Sequence, residues 1–170
     1  MIFVGELPEE QPFARWPVSD QAAALHEAAH ACAALHAGMT VESLTMAECV
    51  ALRGDATPRG LAVYALAGSA MAGRFGSVLS ASDEAILKDA VDEGVAISHY
   101  PRLPEREIRW LLYSEFKAHA KAFVTENNAD IRRLAVALLE HRWLNGNQCL
   151  AVLGERWRPK PARPPIKLGD

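Results

Sequence analysis

Gln21-Ala22-Ala23-Ala24-Leu25-His26-Glu27-Ala28-Ala29-His30-Ala31-Cys32-Ala33-Ala34-Leu35-His36-Ala37-Gly38 is the stretch on which the reading of this chain turns. Residues 21–37 are nearly all Ala, Leu, His and Glu, most of them strong helix formers, and Gly38 supplies a C-terminal stop. Val18-Ser19-Asp20 offers an N-cap just ahead, so a helix is expected to start near Gln21. Inside that helix stands His26-Glu27-Ala28-Ala29-His30, an HExxH sequence. Residues four apart on a helix lie about 40° apart around the axis with Cβ atoms ~6 Å apart, so both imidazoles point the same way and can share one metal ion. Zinc accepts imidazole nitrogen at about 2.0–2.1 Å, and Glu27 can reach a water on the ion without ligating it. The chemistry to expect is hydrolysis, with the ion lowering the water's pKa toward about 7 and Glu27 acting as general base. The plainer reading is an Ala-rich helix whose polar face carries His and Glu at this spacing. A catalytic site also needs a third protein ligand from His, Asp, Glu or Cys elsewhere.

Working outward, residues 40–46 set Val41, Ser43 and Thr45 against Glu42, Leu44 and Met46, an alternation that predicts a short strand with one half-buried face. A small sheet or hairpin is expected there. Residues 53–60 mix Gly, Asp and Pro and read as a loop, followed by an Ala-rich helix over 61–75. Ser80 or Ser82 can cap a further helix running from about Asp83 to Val95, with Asp83 in its first turn and Gly94 weakening its end. Residues 105–124 space Ile108, Leu111, Leu112, Phe116 and Phe123 on one side, and residues 130–143 do the same with Ile131, Leu134, Leu138 and Leu139. Residues 147–153 give a last short helix. With no internal repeat, the expectation is a mainly α-helical single domain with a small β element, flanked by an extended arm at 1–20 and a proline-rich basic tail at 155–170.

A chain of 170 residues, half of them apolar, can bury one sizeable core. Its formal charge of -3 gives no concentrated positive field, so nucleic acid is not an expected partner. Cys32, Cys49 and Cys149 are odd in number and lack CxxC spacing, which signals neither a disulfide framework nor a thiolate zinc site, and a reducing cytoplasmic setting fits. The first residues lack a basic leader and an apolar run, so no signal peptide is expected, and no stretch is long and apolar enough to predict a membrane span.

Three blocks carry a resemblance. His26-Glu27-Ala28-Ala29-His30-Ala31 resembles the HEAGHA zinc motif of the FtsH family of membrane-bound ATP-dependent zinc proteases, in its peptidase domain. Residues 66–76, from Leu66-Ala67-Gly68-Ser69 to Phe75-Gly76, are similar to that family's LAGRAAE segment, and Ala81-Ser82-Asp83-Glu84-Ala85 to its SNDL-type block. Residues 134–140 with Leu144-Asn145-Gly146 resemble the closing helices, so the likeness spans about 21–154. The chain departs from the pattern at Ala29, Ser69, Ala72 and Gly73, none of which is a ligand or a base.

The resemblance implies a helical zincin-type fold with a small sheet beside the site, one Zn2+ per chain held by His26, His30 and Asp83, and Glu27 as the catalytic base. Glu84, Asp89 and Asp92 follow Asp83 and are its competitors as third ligand; an acidic helix start also suits the macrodipole. The resemblance further places residues 40–46 and 48–52 along the cleft. An exposed edge at Val41, Ser43, Leu44 and Thr45 would hold an extended peptide by strand addition, the alternative being an ordinary structural hairpin. His36, His99, His119 and His141 read as surface residues and Cys32 as a packing residue. No Walker A sequence is present, so a polypeptide substrate would have to arrive flexible or unfolded, through a homo-oligomer or a separate delivery partner if at all. Two functions follow: an ATP-independent zinc metalloendopeptidase, or a non-catalytic module of the same fold that binds zinc or peptide.

Overall fold

The computed structural model describes residues 13–73, 79–98 and 102–158. Among them are six α-helices and a three-stranded antiparallel sheet: α1 (Val18–His36), β1 (Thr40–Thr45), β2 (Cys49–Leu52), α2 (Pro58–Met71), α3 (Ala81–Ile97), α4 (Glu105–Glu126), α5 (Asn128–His141), β3 (Trp143–Asn145) and α6 (Gly146–Leu153). A 3-10 turn, Glu155–Trp157, follows.

Helix α1 is the axis of the molecule. Every residue from Glu27 to Ala34 is buried, and the helix packs on α2, α5 and β1. Helix α2 is likewise buried on all sides from Leu61 to Ala70. Helices without a polar face belong in the interior, and alanine lets two of them approach closely. Helices α3 and α4 cover α2, while α5 closes the other side of α1 with Ile131, Leu134, Leu138 and Leu139, all buried as the periodicity predicts. On α4 the expected stripe holds at Ile108, Phe116 and Phe123, whereas Leu111 is exposed.

Element ends differ from the reading in instructive ways. Helix α1 starts at Val18, with Pro17 at the N-cap position and no side-chain cap, so Asp20 sits in the first turn and pairs with Arg142 at 2.9 Å. Proline ahead of a helix fixes φ and needs no donor, which lets the turn start where Ser19 and Asp20 suggested a cap. Helix α2 also begins three residues early: Thr57 caps it, its hydroxyl accepting from the Gly60 amide at 3.1 Å, and Pro58 takes the first turn. Gly38 ends α1 as expected, in the left-handed region at φ 78. Gly94 does not end α3, which runs to Ile97; it is buried, facing Leu112. The Phe75-Gly76 pair and His99 lie outside the described residues.

The sheet corrects the expectation of an exposed edge at residues 41–45. Its order is β2-β1-β3, so β1 is the central strand. Leu44 lies opposite Cys49 on one side and Leu144 on the other, and Ser43 and Thr45 face Asn145 and Trp143. Ser43, Leu44 and Thr45 therefore lie between two strands and offer no edge, while Val41 is paired with Ala51 of β2. Strand β2 is an outer strand.

Both flanks reach further into the packed body than an arm and a tail would. Phe13 joins the core, and Trp157 is 7% exposed. The Trp157 indole Nε1 donates to Asp130 Oδ2 at 2.8 Å, and Arg133 and Arg156 pair with the same buried carboxylate.

Candidate metal centre

The HExxH residues lie in the middle of α1 facing α2, with His26 half-buried and Glu27 and His30 buried. His30 is 3% exposed, and its Nδ1 stands 2.7 Å from the Tyr64 main-chain oxygen. A carbonyl only accepts, so Nδ1 carries the proton and Nε2 presents a lone pair. That Nε2 lies 3.1 Å from His26 Nε2 and 3.7 Å from Asp83 Oδ2. Gly68, again from α2, lies against the His26 ring, its carbonyl favouring the ring's charged form.

Asp83 comes from the first turn of α3 and is 8% exposed. Ser80 fixes it twice. Its hydroxyl accepts from the Asp83 amide at 3.1 Å, the helix cap, and donates to Asp83 Oδ2 at 2.7 Å. Ligand atoms of His26, His30 and Asp83 all lie within 4.8 Å of one another, and this is the one such group among the described residues. Three donors at about 2.0–2.1 Å from a tetrahedral zinc would sit roughly 3.3 Å apart; two of the separations here, 3.1 and 3.7 Å, bracket that value, and the third, between His26 and Asp83, lies within 4.8 Å. The donor set suits a divalent ion at this partly buried point, where a ring proton on His26 Nε2 would otherwise bridge the two imidazoles. Burial holds the pKa of both rings below the ordinary histidine value; for His26 the neighbouring His30 adds to this, while Asp83 opposes it at both. Neutral imidazole is the ligand form.

Glu27 projects beside this group without joining it. Its carboxylate is 4.0 Å from His26 Nε2 and is 8% exposed as a residue. Burial raises its pKa to about 7, Asp83 and Glu48 add to the shift, and the Cys49 amide, donating from the start of β2, opposes it. The Tyr64 hydroxyl donates to the Cys49 oxygen at 2.9 Å. Cys49 of β2 thus bonds α2 through its carbonyl and acts on Glu27 through its amide.

Of the residues singled out in the sequence, His26, Glu27, His30 and Asp83 come together, and the competitors of Asp83 do not. Glu84 is exposed, and Asp92 pairs with Lys88 and Arg109. His119 bonds Glu115, His36 packs against Phe123 and Trp157, and Cys32 is fully buried. Sequence reasoning did not assign roles to Tyr64, Gly68 or the Cys49 amide. A carbonyl or amide contribution has no sequence signal, whereas a glycine inside an alanine helix is one. No family model matches this chain, and comparison with curated proteins returns no match.

Proposed function

We propose that this chain is a zinc metallopeptidase of the HExxH type, with an FtsH peptidase-like fold, that hydrolyses peptide bonds in flexible or unfolded polypeptides. The observation that carries the proposal is the convergence of His26, His30 and Asp83, with Glu27 next to them and outside the ligand set. A zinc ion in this position supplies Lewis acidity, acidifying a water and polarising a substrate carbonyl.

The residues supply the rest. Glu27, with a pKa near neutrality before an ion is present, is placed to take a proton from the attacking water as its oxygen bonds the peptide carbon. The same proton then passes to the leaving nitrogen as the C–N bond breaks, so the carboxylate ends unchanged. The Tyr64 carbonyl holds the His30 imidazole, and Ser80 holds Asp83. An extended substrate suits the outer edge of β2, whose first residue touches Glu27 through its amide, rather than β1.

The test is incubation of the zinc-loaded chain with unfolded casein, wild type against Glu27→Gln. Chelator-sensitive cleavage that disappears in Glu27→Gln, with zinc still bound, supports the peptidase. Zinc uptake without cleavage of any unfolded substrate favours the non-catalytic module.

A further inference from the structure

Gly68 lies midway along α2, against the metal-binding turn of α1. A Cβ placed on it would stand 2.5 Å from both Cε1 and Nε2 of His26 and 2.6 Å from Nε2 of His30. Distances under 3.0 Å are essentially never found for a real Cβ, so no side chain fits while the rings keep these positions. In a helix interior glycine is less favourable than alanine by about 1 kcal/mol. The sequence nevertheless places glycine between Ala65, Ala67 and Ala70, where local helix preference favours alanine.

The main chain of the same residue has a second task. The Gly68 carbonyl closes the helix bond from the Ala72 amide at 3.1 Å, so the helix fixes the residue where it faces the two rings. The Tyr64 carbonyl, one turn earlier, accepts from His30 Nδ1 at 2.7 Å. One turn of α2 is therefore matched to one turn of α1 in reverse order, Tyr64 with His30 and Gly68 with His26. A bare α-carbon is needed at the point where the two Nε2 atoms meet.

We propose that Gly68 is a positioning residue of the metal centre, its missing side chain being the space into which both imidazole Nε2 atoms converge. This rests on the metal reading of the site and not on hydrolysis.

The test introduces Gly68→Ala into the native chain and into a chain that also carries His26→Ala and His30→Ala. In the native background Gly68→Ala should weaken Zn2+ binding by about 100-fold, measured by competition with a chromophoric chelator, and lower the melting temperature of the metal-free protein. Without the imidazoles the same change should leave the melting temperature unchanged or raise it, since alanine is the better helix former. Failure of Gly68→Ala to fold in the native background, with folding restored when both rings are removed, is the same result in extreme form. Native zinc affinity in Gly68→Ala, or an equal loss of melting temperature in both backgrounds, would overturn the proposal and leave only helix packing. A native chain that takes up no Zn2+ would overturn it together with the metal reading.

Discussion

Nδ1 of His30 lies 2.7 Å from the main-chain oxygen of Tyr64, a bond that sets the tautomer of this ring of the proposed centre from a neighbouring helix without using a side chain. The Tyr64 hydroxyl acts separately, on the Cys49 oxygen of β2 at 2.9 Å. Tyr64→Phe should therefore cost about 1 kcal/mol of stability in a denaturant titration and leave zinc affinity within about threefold of wild type. A large loss of zinc affinity would mean that the hydroxyl, and not the carbonyl, orders the site.

In the proposed centre Asp83 is a ligand and Ser80 its support. Asp83→Ala should reduce Zn2+ affinity by about 100-fold or more, and Ser80→Ala by about tenfold, because an orienting partner is lost rather than a ligand. Ser80→Ala also removes the cap of α3, so its metal-free form should lose about 1 kcal/mol in the same titration.

In the metal-free protein, pH acts on Glu27 and the two histidines in opposite directions. The folded pKa of Glu27 is raised from 4.5 to about 7, so its contribution is most favourable below 4.5 and is lost as pH rises to about 7. Those of His26 and His30 are lowered from 6.5, so their contribution is present above 6.5 and is lost as pH falls below it. Glu27→Gln should consequently melt several degrees above wild type at pH 8 in chelator, and the gap should close toward pH 4.5. An equal gap at both pH values would exclude a buried, raised carboxyl.

Asp130 anchors the chain after α6. Asp130→Ala leaves Trp157 Nε1, Arg133 and Arg156 without this partner and should cost about 2 kcal/mol or more, with a red shift in tryptophan emission as Trp157 meets water. Zinc affinity should stay at the wild-type value, since none of these groups touches the centre.

Much of the centre was legible because it depends on local rules. The i, i+4 spacing of His26 and His30 needs only a helix, the alanine run and Gly38 define that helix, and Ser80 and Asp83 form a capping pattern readable by eye. Choosing Asp83 over Glu84, Asp89 and Asp92 required the family resemblance, since a first-turn carboxylate has a sufficient explanation in the helix dipole. What local pattern could not show was pairing at a distance. Whether β1 is an edge depends on Trp143–Asn145, a three-residue strand about a hundred positions downstream and too short to stand out by periodicity. The early start of α2 was hidden for another reason: Thr57-Pro58 satisfies a loop and a capped helix start equally well until the following helix is seen to pack.

Zinc K-edge absorption on the purified chain, loaded with one equivalent of Zn2+, addresses the ligand set without reference to any substrate. The expected result is a shell of nitrogen and oxygen neighbours at about 2.0–2.1 Å with an imidazole scattering pattern that weakens in His26→Ala and in His30→Ala. Failure to retain zinc, or a sulfur shell at about 2.3 Å from Cys32, Cys49 or Cys149, would contradict a centre built from His26, His30 and Asp83.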